Sequence, residues 1–124
     1  MKNGQIHHVE IYVSNLVVSV QFWGWLLAEL GYEEYQVWPE GKSWIMDGTY
    51  ITLVQVEKKY GERPYHRKHV GLNHLAFVVT AEKLNQLKTA LHSKGVGLLY
   101  EDENFEDKLF FEDPDRIKIE LASY

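Results

Sequence analysis

The sequence has no cysteine among its 124 residues. This absence excludes a disulfide-stabilised scaffold, thiolate zinc sites and cysteine nucleophiles. The chain is also poor in positive charge: 13 basic against 18 acidic residues give a formal net charge of −5 at pH 7. Without a basic stripe to offset that charge, binding to a phosphate backbone is disfavoured, so we expect no nucleic-acid partner.

Long hydrophobic runs are missing as well. The longest apolar stretch, residues 16–30, is interrupted by Ser19, Gln21, Gly24 and Glu29, so it does not predict a membrane span. The first five residues lack the apolar core of a signal peptide. We therefore expect no membrane partner and, by default, a cytoplasmic location.

Aromatic residues, by contrast, are abundant, with four Trp and eight Tyr. Rings at this frequency fill a core and also line pockets for small molecules. The length suits one domain with a substantial core. We therefore expect a small-molecule ligand or substrate.

The chain divides into two halves with the same pattern. Alternating polarity, a helical apolar stripe and then three short alternating segments occur in each half. In the first half the predicted elements are a strand at 6–13, a helix at 16–30 between Asn15 and Gly31, and strands at 32–38, 43–46 and 50–56. In the second half they are a strand at 72–79, a helix at 81–94 between Thr80 and Gly95, and strands at 96–100, 108–111 and 117–122.

This order predicts an α+β protein of two tandem βαβββ modules forming a curved mixed sheet around a cleft. We expect a single domain over 1–124, with module 1 at about 5–57, a linker at about 58–70 and module 2 at about 71–124. The halves align by role, so that His8 matches His74 and Thr52 matches Glu120.

Three motifs carry a resemblance to a known family. They are His8–Leu16 followed by Ser19–Trp23, then Gly71–Phe77, and last Phe111–Asp115 leading to Glu120. In this order they resemble the glyoxalase / bleomycin-resistance / extradiol-dioxygenase superfamily, the vicinal-oxygen-chelate proteins. The resemblance covers essentially the whole chain and implies the two-module fold, and it leads us to expect a homodimer.

The resemblance also implies metal ligands on the first and last strands of each module. The matching positions hold His8, His74 and Glu120, whereas the fourth holds Thr52, a poor ligand for a divalent metal. All three candidate ligands lie opposite the apolar faces of their strands. Two His and one carboxylate suit one divalent ion, Zn, Mn, Fe, Co or Ni, with positions left for water and substrate.

Further candidates share the polar strand faces. Glu10 is the candidate catalytic base, because the proton transfer of glyoxalase-type enzymes needs a base beside the metal. The same residue also fits a carboxylate that binds a cationic ligand, or one that simply lies at an open sheet edge. Tyr12 either binds substrate or packs in the cleft. Thr52 is a candidate substrate contact, as is Gln55, which a one-residue register slip would bring to the polar face.

The resemblance implies a glyoxalase-like, metal-dependent enzyme of lyase or isomerase type acting on a small oxygenated metabolite. Two alternatives stay open: a metal-free binding protein like the bleomycin-resistance members, and a non-haem iron dioxygenase. The sequence departs from the pattern that is typical of each well-known activity of the family. Fosfomycin-modifying relatives typically have Thr where this chain has Glu10, glyoxalase I usually has a fourth ligand where it has Thr52, and extradiol dioxygenases usually have four modules.

Overall fold

The structure is a computed structural model that describes residues 3–124. The chain forms two compact units, the first ending at Pro64 and the second spanning Tyr65–Tyr124. The division falls inside the segment predicted as a linker. Each unit has its own sheet, helix and core, and each is described by itself.

The first unit is a four-stranded mixed sheet with one helix. Its elements are β1 (His8–Val13), α1 (Leu16–Leu30), β2 (Glu33–Trp38), β3 (Gly41–Met46) and β4 (Thr49–Gln55), followed by a 3-10 turn at Lys58–Tyr60. The strand order is β1-β4-β3-β2, with β1 parallel to β4 and the other pairs antiparallel. The parallel pairing sets each β1 side chain beside one from β4 on the same face.

Local signals at both ends set the length of α1. The Asn15 side chain accepts a hydrogen bond from the Val18 amide at 3.3 Å, which satisfies one of the free amides of the first turn. At the other end Gly31 adopts φ 100°, a left-handed conformation that suits glycine and ends the helix. The helix packs on β3 and β4, where Trp23 and Trp44 are buried.

The second unit repeats this arrangement. Its elements are β5 (His74–Val79), α2 (Ala81–Ser93), β6 (Leu98–Leu99), β7 (Lys108–Glu112) and β8 (Lys118–Ser123), in the sheet order β5-β8-β7-β6. Thr80 caps α2 by accepting from the Lys83 amide at 3.1 Å. The helix packs on β7 and β8, and its buried stripe is Leu84, Leu87 and Leu91. Burying a leucine side chain stabilises the folded state by roughly 1.5–3 kcal/mol.

These elements confirm the predicted α+β fold of two tandem βαβββ modules. One strand differs: the segment predicted at 96–100 contains only Leu98–Leu99 as strand. The reason is that Tyr100 adopts φ 58° and leaves the extended conformation, and a 3-10 turn follows at Glu101–Glu103. Neither α-helix within residues 3–124 has both the length and the apolar character that crossing a membrane requires.

Candidate metal centre

His74 and Glu120, both predicted as metal ligands, lie side by side in the second unit. Nε2 of His74 is 2.9 Å from Oε1 of Glu120. The two side chains meet because β5 and β8 are parallel neighbours, with Ala76 as the Cα partner of Glu120. Alternation along β8 places the flanking residues Ile119 and Leu121 in the core and leaves Glu120 on the opposite face.

Asn73 orients the His74 ring. Its Oδ1 lies 2.7 Å from Nδ1 of His74, so in this orientation of the amide Nδ1–H donates to the asparagine. In the neutral ring, Nε2 then carries a lone pair that faces a carboxylate oxygen. Two electron-pair donors at this distance need a proton or a cation between them.

The pair therefore fits a divalent metal by its donor chemistry. An imidazole whose second nitrogen is held by a carbonyl oxygen is the usual arrangement of a metal-binding histidine, because the hydrogen bond sets the tautomer and the ring orientation. His74 was predicted as a ligand from the sequence, whereas no role was predicted for Asn73. The signal available was its position directly before the histidine.

His8, the third predicted ligand, lies on β1 in the first unit. Its side chain is exposed, its Nδ1 is 2.9 Å from Nδ1 of His7, and its ring stacks on Tyr50 with centroids 4.6 Å apart. Tyr50 is the Cα partner of His8 in β4, which accounts for the stacking. Within residues 3–124, no three His, Asp or Glu side chains form a group that could hold a metal ion.

The remaining candidates on β1 and its neighbour β4 differ in burial. Glu10 is exposed, and Tyr12 is 68% exposed. Thr52, the Cα partner of Glu10, is 1% exposed, and its buried hydroxyl has no hydrogen-bond partner among residues 3–124. Thr52 holds the place in the first sheet that Glu120 holds in the second, since their partners are Glu10 and Ala76.

Gln55 makes its hydrogen bonds within the first unit. Its Oε1 accepts from the Leu16 amide at 2.8 Å, and its Nε2 donates to the Ser14 carbonyl at 2.9 Å. The side chain thus joins the end of β4 to the start of α1. Sequence reasoning placed Gln55 as a candidate substrate contact and did not foresee this role, which depends on a contact between residues 39 positions apart.

A cation and several rings adjoin the His74–Glu120 pair in the second unit. The Phe110 ring lies 6.3 Å from the His74 ring and 5.2 Å from the Tyr100 ring. The Lys118 ammonium donates a hydrogen bond to the Tyr100 hydroxyl at 3.3 Å. That hydrogen bond is the largest cause that lowers the pKa of Tyr100, and the positive charges of Lys118 and Arg67 act in the same direction.

Comparison with known sequences identifies the family. A sequence profile of the glyoxalase/bleomycin resistance protein/dioxygenase superfamily matches residues 5–121. The uncharacterized protein YqjT of Bacillus subtilis (strain 168) is 46% identical over 125 residues, which cover 95% of this chain and 98% of YqjT.

Solved structures agree with this assignment. The crystal structure of a proposed glyoxalase from Bacillus halodurans is 44% identical and has a TM-score of 0.94, covering 98% of this chain and 97% of that one. The fosfomycin resistance protein FosX from Listeria monocytogenes, solved with Mn(II) and 1S,2S-dihydroxypropylphosphonic acid, is 20% identical with a TM-score of 0.71, covering 99% and 93%. The likeness to FosX concerns the fold alone. On the profile match, the relative and the fold together, the chain belongs to the glyoxalase/bleomycin resistance protein/dioxygenase superfamily.

Proposed function

We propose that this chain is a glyoxalase-like, metal-dependent enzyme of lyase or isomerase type that acts on a small oxygenated metabolite. The observation that carries the proposal is the pairing of His74 Nε2 with Glu120 Oε1 at 2.9 Å, with Asn73 holding the other ring nitrogen. We propose His8 as the third ligand, from its matched place in the repeat.

A divalent ion held there would stabilise negative charge that develops on substrate oxygens. The chain's own residues do the rest. Asn73 keeps the lone pair of His74 directed at the site, and Glu120 supplies one negative charge. Glu10 is the proposed base, which would take a proton from the substrate and return it at another atom. Three protein ligands leave coordination positions open, as catalytic sites require.

We also propose a homodimer and a cytoplasmic location for the enzyme, with a small molecule as its substrate. These follow from the family and from the composition.

Elemental analysis of untagged protein, purified without chelators or nickel resin, tests the metal. We expect about one equivalent of divalent metal per chain in the wild type and its loss in H74A and E120Q, with H92A, an exposed histidine on α2, as the matched control. Full metal content in both variants would exclude the proposed pair. Iron would direct the substrate screen to the dioxygenase alternative, and the other ions to isomerase or lyase reactions.

The second candidate is a metal-free binding protein like the bleomycin-resistance members. One support is the aromatic surface of the first unit, where the centroid of the Tyr50 ring lies 4.6 Å from that of His8 and 5.3 Å from that of Tyr35. The other is the net charge of −5, which suits a flat cationic drug. A thermal shift on addition of bleomycin that persists after chelation would favour this function.

A further inference from the structure

Lys118 is placed directly beside the proposed metal pair. It is the Cα partner of His74 and lies two residues before Glu120 on β8, so all three side chains share one face of the sheet. Its ammonium lies over two rings, 5.3 Å from the centroid of Tyr100 and 5.7 Å from that of Phe110.

Among the described residues, no carboxylate forms an ion pair with Lys118. Glu112 is its cross-strand neighbour on β7, but Oε2 of Glu112 is 2.5 Å from Nη1 of Arg67 and 3.8 Å from Nε of Arg116. Within the part of the chain that the structure describes, Lys118 forms no ion pair, and its ammonium meets only ring faces and the Tyr100 hydroxyl. Ring faces attract a cation but do not cancel its charge.

This position has an electrostatic consequence for the site. A divalent ion bound to His74 and Glu120 would meet a single carboxylate. Lys118, two residues before Glu120 on the same strand, would add a positive charge on the same face of the sheet. Two cations on one face of the sheet would repel each other. A negatively charged ligand group between them would remove the repulsion and bind to both.

The surroundings indicate the rest of the ligand. Tyr100 and Phe110 also line a cavity of about 200 Å³. Its other apolar lining residues include Leu98, Leu99 and Phe105. Three basic side chains, Lys88, His92 and Lys108, line this cavity together with the carboxylate of Glu101. Lys118 adjoins the cavity through its contacts with Tyr100 and Phe110. The volume is below the range of roughly 300–1,000 Å³ that drug-sized ligands occupy, so the ligand is small.

The backbone at Tyr100 is held in an unfavourable conformation. Its φ of 58° and ψ of 33° lie in the left-handed region, which a bulky residue rarely adopts. Such conformations persist where the surrounding structure enforces them, and they concentrate at binding sites. Here the conformation accompanies the contact between the phenol and Lys118.

We propose that Lys118, together with Tyr100, binds the oxyanion group of an organic acid, a carboxylate or a phosphonate, whose apolar body lies against Tyr100 and Phe110. The proposal deepens the proposed function, on which it rests for the reaction, since it makes the substrate a small organic anion. Binding of the anion itself does not require the metal.

The test measures binding of benzoate and phenylphosphonate to the full chain by calorimetry, with benzamide as the neutral counterpart of benzoate. Each titration is made on metal-free protein and again with Mn²⁺ present. We expect at least one of the two anions to bind more tightly than benzamide, and K118M to weaken that binding by about tenfold or more. K118R, which keeps the charge, should retain most of it.

Lys59 provides the matched control. Its ammonium also lies over a ring, 5.1 Å from the centroid of Tyr60, but on the first unit, so K59M should leave anion binding unchanged. Equal binding to wild type and K118M would overturn the proposal, and so would the absence of binding by both anions in both metal states. Binding that depends on Lys118 in a protein that takes up no metal would support the anion site while contradicting the metal-dependent enzyme.

Discussion

The imidazole of His74 and the carboxylate of Glu120 meet at 2.9 Å although 46 positions separate them in the chain. Parallel pairing of β5 with β8 produces this contact, and a core-facing side chain on each side of Glu120 keeps the carboxylate on the polar face. This pair is the starting point of the proposed metal centre.

Removal of the Asn73 side chain should weaken metal binding without removing a ligand. In N73A the Nδ1 of His74 loses its acceptor at 2.7 Å, so the ring is free to rotate and to change tautomer. Changes of this kind typically lower metal affinity by about 10–100-fold. Competition with a chromogenic chelator measures the affinity. An unchanged affinity in N73A, set beside its loss in H74A, would show that Asn73 does not position the ring.

Glu10→Gln should separate metal binding from turnover. Glu10 is exposed on β1, and the amide keeps its shape while it loses the ability to take up a proton. If Glu10 is the base, E10Q keeps the metal content of the wild type, and kcat falls by roughly 10²-fold or more. Steady-state kinetics on the substrate found in the screen decide the point, with E40Q on an exposed loop as the control. Wild-type turnover in E10Q would return Glu10 to the role of a surface carboxylate.

Gln55→Ala should destabilise the first unit. The substitution leaves the Leu16 amide and the Ser14 carbonyl without the partners that they have at 2.8 and 2.9 Å. Loss of hydrogen bonds at a partly buried helix start costs about 1–3 kcal/mol in the free energy of unfolding. Urea denaturation measures it, and Q86A on the exposed side of α2 should change little. A Q55A protein of full stability that has lost turnover would instead indicate a substrate contact.

Tyr100 should ionise at a lower pH than an ordinary tyrosine. The hydrogen bond from Lys118 is the largest cause of the lowered pKa, and it favours the phenolate in the folded chain. The pKa of Tyr100 is lower in the folded state than its value of about 10 in the unfolded state. Ionisation of Tyr100 therefore stabilises the fold above pH 10, and this contribution is lost as the pH falls through the folded pKa.

The measurement is the ultraviolet absorbance of the phenolate during an alkaline titration. The difference between wild type and Y100F isolates this residue from the other seven tyrosines of the eight in the chain. When the same comparison is made between K118M and K118M/Y100F, the titration midpoint of Tyr100 should lie at higher pH. A titration midpoint of Tyr100 that K118M does not change would show that Lys118 does not act on the phenol.

Local patterns were sufficient for most of the fold. The ends of α1 follow from Asn15 and Gly31, which act on the backbone within a few residues, and the helix has the predicted bounds. Alternation predicted which face of β1 and β8 is polar, because side-chain direction along a strand has a period of two. The strand predicted at 96–100 was too long, since Tyr100 adopts a left-handed conformation. Its hydroxyl and ring contact Lys118 and Phe110, which lie later in the chain and which no local pattern indicates.

By itself the sequence determined the elements, the repeat and the residues with the chemistry to bind a metal, because these depend on neighbours within a few positions. Only the tertiary structure decided which of those residues meet. It set His74 against Glu120 and directed the hydrogen bonds of Gln55 to the start of α1. It also placed Lys118 over two rings, with no carboxylate partner in the described part of the chain. Contacts of this kind depend on strand register and on side-chain packing between distant segments, which no local pattern contains.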